Sequence, residues 1–151
     1  MKTAEQWLDQ YGESHQNRTN KLIHWVCIPA IVVSLFGLLA SIPVPWDVAH
    51  VNVATVLLAF SLGFYMLIST RLAVGMLFAG TAMYAVAVSL TALSVPLWAS
   101  SLAIFVAAWI AQFIGHKIEG KKPSFFEDLQ FLLIGPLWLL GFIYRKAGLK
   151  Y

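Results

Sequence analysis

The sequence predicts an all-α, polytopic transmembrane helix bundle: four spans, a short fifth helix that is re-entrant or interfacial, and an interfacial helix at the N-terminus. Three observations predict it. Hydrophobic residues make up 60% of the chain and charged ones only 11%, against about 25% charged in a soluble domain. Four apolar stretches, residues 22–42, 51–69, 72–95 and 97–115, contain no Lys, Arg, Asp or Glu, and each is near the ~20 residues a helix needs to cross the hydrocarbon core. The links between them are tight, which makes sequence neighbours antiparallel.

The 151 residues form one membrane domain. Its parts are an N-terminal interfacial segment (1–20), the four-span bundle (22–115), a cytoplasmic loop (116–128), and a short apolar segment with a basic tail (129–151). The N-terminal segment is polar and lacks the basic opening and apolar core of a signal peptide. Thr3 and Gln6 have capping-box spacing. Trp7, Tyr11 and His15 recur every four residues, one face of a helix expected to lie on the bilayer and to carry His15 with it.

Pro43, Pro45, Trp46 and Asp47 join the first two spans, Ser69-Thr70-Arg71 the second and third, and Ser94-Val95-Pro96 the third and fourth. Small residues such as Ala30, Ser34, Gly63, Gly75 and Ala79 allow close helix approach. The fifth apolar stretch, 129–144, is shorter and has Pro136 near its middle. If four stretches span and the fifth does not, all ten Lys and Arg fall on one side, and the opposite side keeps only Asp47. The positive-inside rule then puts both termini in the cytoplasm, in the inner membrane of a bacterium or the endoplasmic reticulum of a eukaryote. A net charge of +3 does not indicate nucleic acid here, because the basic residues lie between apolar runs rather than along one soluble face; they set topology and contact anionic membrane lipids. The lone Cys27 sits in an apolar run and reads as a packing residue.

The four histidines separate by position. His15 precedes the first span, His24 opens it and His116 closes the fourth, so all three fall at the cytoplasmic face; His50 lies at the other end. Nine residues apart on one helix, His15 and His24 would point in opposite directions, so the chain must turn between them, and 17–20, with Asn at both ends, is the place for that. Gln112 lies one turn before His116, and Glu119 three residues after it on the same side. Two or three imidazoles with a carboxylate suit a divalent transition metal, and two His with one carboxylate are the usual set of non-haem Fe(II) oxygenases. Polar groups are costly at a membrane, so a cluster of them marks function.

The run His15-Gln16-Asn17-Arg18-Thr19-Asn20-Lys21-Leu22-Ile23-His24, followed by Ile28-Pro29, resembles the N-terminal signature of the 2-hydroxy fatty acid dioxygenase family, small membrane proteins long catalogued as a domain of unknown function. Gln112-Phe113-Ile114-Gly115-His116, then Glu119-Gly120 and Pro123, resembles the second signature, and the likeness covers nearly the whole chain. Family members often have Pro where Arg18 stands, a departure that affects a turn rather than a ligand. The resemblance implies Fe(II)-dependent removal of one carbon from a long-chain 2-hydroxy fatty acid by molecular oxygen. It implies His15, His24 and His116 as catalytic iron ligands, Glu119 as a further ligand, and Asn20 as a supporting residue. Lys21 or Lys117 would pair with the substrate carboxylate. The competing readings are a di-iron desaturase or hydroxylase, for which four histidines are too few, and a non-enzymatic scaffold or transporter subunit, which would bind no metal.

Overall fold

The structure, a computed structural model, describes residues 3–46, 48, 51–120 and 132–151. These form six α-helices: α1 (Ala4–Gly12), α2 (Arg18–Ala40), α3 (Val53–Ile68), α4 (Thr70–Ser89), α5 (Leu97–Glu119) and α6 (Ile134–Lys146). A 3-10 turn, Leu90–Ala92, prolongs α4, and no strand occurs among the described residues. The expected all-α class is observed.

Three helical segments are long and apolar enough to cross a membrane: Arg18–Ala40, Thr70–Ala92 and Leu97–Glu119, each of 23 residues. The second expected span is shorter. Asn52 caps α3 with a capping box, and Ser69 ends α3 and caps α4, leaving 16 helical residues between them. At 1.5 Å per residue these rise about 24 Å, less than the ~30 Å hydrocarbon core. The outer faces of the bundle stay apolar: Val26, Phe60, Phe78 and Ile110 are 70%, 69%, 71% and 56% exposed. In water such a surface would drive association; in lipid it is the solvated face.

α2 packs most extensively on α5. Small residues make that approach possible: Gly37 lies against the Ser101 hydroxyl, Gly115 against the Asn20 amide oxygen, and a Cβ on either would collide. Gly75 serves the α4–α6 contact, where a Cβ would strike Tyr144 and Leu140. Gly63 does not pack as expected; open space lies beside it. Cys27 is free and buried, in a packing cluster with Ile31, Ala108 and Trp109.

The described part of the fifth apolar stretch packs in the core of the protein. Pro136, mid-way along that stretch, is the third residue of α6. The first four N–H groups of a helix have no intrahelical acceptor, so proline costs little there. The 13 residues of α6 rise only about 20 Å. α6 packs on α1, α2 and α4, burying Leu137 and Trp138 against Leu8, Tyr11, Ile28 and Leu72. That packing corrects the expectation for α1. Its capping box forms, with Thr3 N donating to Gln6 Oε1 at 2.9 Å and Gln6 N to Thr3 Oγ1 at 3.3 Å. Yet Tyr11 points into the protein, because the apolar face of α6 offers it more burial than an interface would.

The described basic residues gather at one end of the bundle. Arg18 and Lys21 open α2, Arg71 opens α4, Lys117 closes α5, and Arg145 and Lys146 close α6. Arg71 Nη1 donates to the Lys150 carbonyl at 2.9 Å and Tyr144 Oη to the Arg71 carbonyl at 3.1 Å, tying the C-terminal segment to the α3–α4 turn. Lys2, Asp47, His50, Lys121, Lys122, Pro123 and the stretch 129–131 lie outside the described residues.

Candidate metal centre

The chain turns between α1 and α2 in residues 13–17. Asn17 ends the turn as the N-cap of α2, its side-chain oxygen accepting from Thr19 N at 2.8 Å and Asn20 N at 3.3 Å. This turn, which convergence of His15 and His24 requires, lies at 13–17 rather than at the expected 17–20, because Asn17 caps α2 and residues 18–20 already form its first helical turn. It folds His15 back over the first turns of α2, and α5 brings His116 up beside them.

The three imidazoles form one buried cluster. His15, His24 and His116 are 2%, 1% and 5% exposed. Ring centroids lie 4.2 Å apart for His15–His24, 5.0 Å for His24–His116 and 5.4 Å for His15–His116. Each ring offers a nitrogen, and these nitrogens all lie within 4.8 Å of one another. Two metal–nitrogen bonds of about 2.1 Å span up to about 4.2 Å, so a shared ion needs only a small inward movement of the rings.

Backbone carbonyls orient two of the rings. His15 Nδ1 donates to Tyr11 O at 2.6 Å, and His24 Nδ1 to Asn20 O at 2.9 Å. This leaves Nε2 of each as the ligand atom, the arrangement by which metal-binding histidines are usually held. Tyr11 stacks on His15 with centroids 4.3 Å apart and planes 12° from parallel, and Trp138 lies 5.5 Å from the same ring. Sequence spacing suggested the Tyr11–His15 pairing but not Trp138, which comes from the far end of the chain.

Glu119 stands apart from the three nitrogens. One carboxylate oxygen accepts from Gln16 N at 2.7 Å; the other accepts from Asn17 N at 2.9 Å and Asn20 Nδ2 at 3.0 Å. The carboxylate thus clamps the turn carrying His15 onto the end of α5, three residues beyond His116. Asn20 is fully buried, and its amide also donates to Ser14 O at 3.4 Å. Gln112 is buried one turn before His116, and its Oε1 accepts no hydrogen bond among the described residues. Gly120, in the left-handed region at φ 76°, ends α5 directly after Glu119.

Fold and site together define a helical protein with three segments long and apolar enough to cross a membrane and a buried three-histidine cluster able to hold a metal ion. The comparisons place it further. The family described as 2-hydroxy-palmitic acid dioxygenase Mpo1-like matches residues 1–147, and the chain belongs to that family. It is 32% identical, over 93% of its own length and 84% of the relative's, to the 2-hydroxy-palmitic acid dioxygenase MPO1 of Saccharomyces cerevisiae. No solved structure matches it.

Proposed function

We propose that the protein is a membrane-embedded, Fe(II)-dependent dioxygenase that removes one carbon from long-chain 2-hydroxy fatty acids. The single observation that carries this reading is the convergence of three buried histidine nitrogens within 4.8 Å, in a chain of this family. His15, His24 and His116 hold the ion, and Asn20 and Glu119 fix the turn that presents His15. Bound there, Fe(II) supplies the one-electron redox chemistry that O₂ activation needs and that Zn(II) lacks.

The overall reaction balances with oxygen as the sole oxidant. A 2-hydroxy acid and O₂ give the acid one carbon shorter, carbon dioxide and water. The C1–C2 bond breaks, C2 is oxidised from alcohol to carboxyl, C1 leaves as carbon dioxide, and O₂ accepts four electrons. The protein's part is to bury the site and to set its donors. Tyr11, Trp138 and the α2–α5 packing keep bulk water from the rings.

The chain is proposed as one membrane domain of four spans, α3 crossing with its short length made up by the residues flanking it. Both termini and the histidine cluster then face the cytoplasm, His50 and Asp47 the other side. In a Cys27→Ala background, single cysteines at Trp46 and Lys117 should react with a membrane-impermeant maleimide from opposite sides. Labelling of both from one side ends this topology.

The reaction is tested by mass spectrometry of products. Given 2-hydroxypalmitic acid, oxygen and Fe(II), the purified protein should yield the acid shortened by one carbon. Palmitic acid itself should remain, because it lacks the hydroxyl at the carbon to be oxidised. A chelator should stop turnover, with Fe(II) but not Zn(II) restoring it. Folded, iron-loaded protein that leaves 2-hydroxy acids of several lengths intact would refute the function and favour a non-enzymatic scaffold.

A further inference from the structure

Two grooves meet at Trp25. One, of about 390 Å³, runs between α1, α2 and α6 and reaches His15; Arg18, Lys21 and Arg145 line it. This volume lies within the ~300–1,000 Å³ typical of small-molecule sites. The other, of about 210 Å³, lies between α2, α4 and α6 and is walled by apolar side chains, among them Pro29, Met76, Ala79, Met83 and Ile143. Trp25 lines both, and its ring meets Phe142 edge-on with centroids 5.7 Å apart.

One stripe of α2 connects them. Arg18, Lys21, Leu22 and Trp25 line the first groove, and Trp25, Ile28 and Pro29 line the second. Arg18, Lys21 or Leu22, Trp25, and Ile28 or Pro29 follow one another at three- or four-residue steps, so they lie along one face of the helix. From Arg18 to Pro29 that face rises about 16 Å. It passes from cationic to apolar along its length. α6 repeats the pattern: Arg145 and Phe142 border the first groove, Ile143, Leu139 and Pro136 the second. Asp9 and Glu13 lie on the α1 wall, so the cationic side of the mouth belongs to α2 and α6.

We infer that these joined grooves are the seat of the substrate: its carboxylate against Arg18, Lys21 and Arg145 beside His15, and its acyl chain passing Trp25 into the apolar groove between α2, α4 and α6. The inference rests on the reading of the protein as a 2-hydroxy acid dioxygenase and gives that reading a binding surface. Charge complementarity selects the occupant. A neutral lipid chain would satisfy the apolar groove alone, whereas a long-chain acid satisfies both, with its oxidised end next to His15. Opening sideways between helices, the apolar groove receives the chain without its leaving an apolar medium. Trp25 is then a positioning residue, setting where the chain turns from the head site into the bundle.

The test uses the full chain in nanodiscs of neutral phospholipid and 2-hydroxypalmitic acid with a diazirine at its far end. After irradiation, adducts should concentrate on 76–83 of α4 and 136–143 of α6. Unlabelled 2-hydroxypalmitic acid should reduce them at least tenfold, and the corresponding uncharged 1,2-diol should compete at least tenfold less well. Ala79→Trp should cut labelling by the terminal probe about tenfold while leaving binding of 2-hydroxyoctanoic acid within twofold. Arg145→Glu should weaken competition by the acid but not by the diol, which separates a charge contact from a folding defect. Adducts spread over bilayer-facing residues such as Phe60 and Phe78, or unaffected by competitor, overturn the inference and mark the groove as filled by ordinary lipid. Turnover with labelling elsewhere overturns the groove and leaves the reaction standing. Competed groove labelling without turnover supports the groove and removes the reaction.

Discussion

His24→Ala or His116→Ala will leave the purified protein without bound iron and without turnover. Metal content by mass spectrometry should fall from a single iron per chain to background, a larger loss than the ~10- to 100-fold that changes behind the ligands cause. His15→Ala should do the same, and His50→Ala should not. The rings of His24 and His116 are buried, so truncation also leaves cavities. His116→Gln, closer in size, separates loss of a donor from loss of packing: a helical, monodisperse variant that binds no iron identifies the ring as a ligand. Full iron retention by the His24/His116 double mutant would eliminate the site.

Glu119→Ala will release the turn that carries His15, because Gln16 N, Asn17 N and Asn20 Nδ2 all lose their acceptor. The expected effect is a ~10- to 100-fold loss of metal affinity, as for other groups that orient ligands. Glu119→Gln keeps one oxygen acceptor and should recover part of it. The spectrum of the bound ion decides between two roles for this carboxylate. If Glu119 only holds the turn, Co(II) substituted at saturating metal should show the same ligand-field bands in wild type and Glu119→Gln. Bands that shift, with affinity falling more than a thousandfold, would make Glu119 a ligand and reject the positioning role. Asn20→Ala should resemble Glu119→Gln, since it removes one of the three donors that the carboxylate holds.

Hydropathy displayed most of the architecture, because a helix in lipid must be both apolar and long. It overstated α3, whose length is set by the caps Asn52 and Ser69, and caps do not alter an apolar run. The convergence of His15, His24 and His116 was legible from their placement at span ends, but the turn expected at 17–20 lies at 13–17, since Asn17 serves as a helix cap and Asn20 stands inside α2. The inward turn of α1 was not legible. Trp7, Tyr11 and His15 suit a lipid interface and a protein interface equally, and only the apolar face of α6 decides between them. Pro136, at the middle of the apolar stretch 129–144, falls in the first turn of α6 because the helix begins at Ile134. Glu119 was visible as a carboxylate close to His116. That it binds a turn about a hundred positions earlier depends on tertiary contacts that spacing does not encode. Gly63 shows the same limit, since a small residue permits close packing without requiring it.

The clamp of Glu119 on Gln16 joins residues 103 positions apart, and the histidine cluster likewise draws on both ends of the described bundle. Such a centre cannot exist on a half-made chain. During synthesis His15 and His24 emerge first and wait while α3, α4 and α5 are made; the pocket closes only when His116 arrives. On the proposed reading, metal capture would therefore be a late event, after α5 is made. An ion held there would be a stitch across the long loop from His15 to His116, favouring the assembled state over every earlier one.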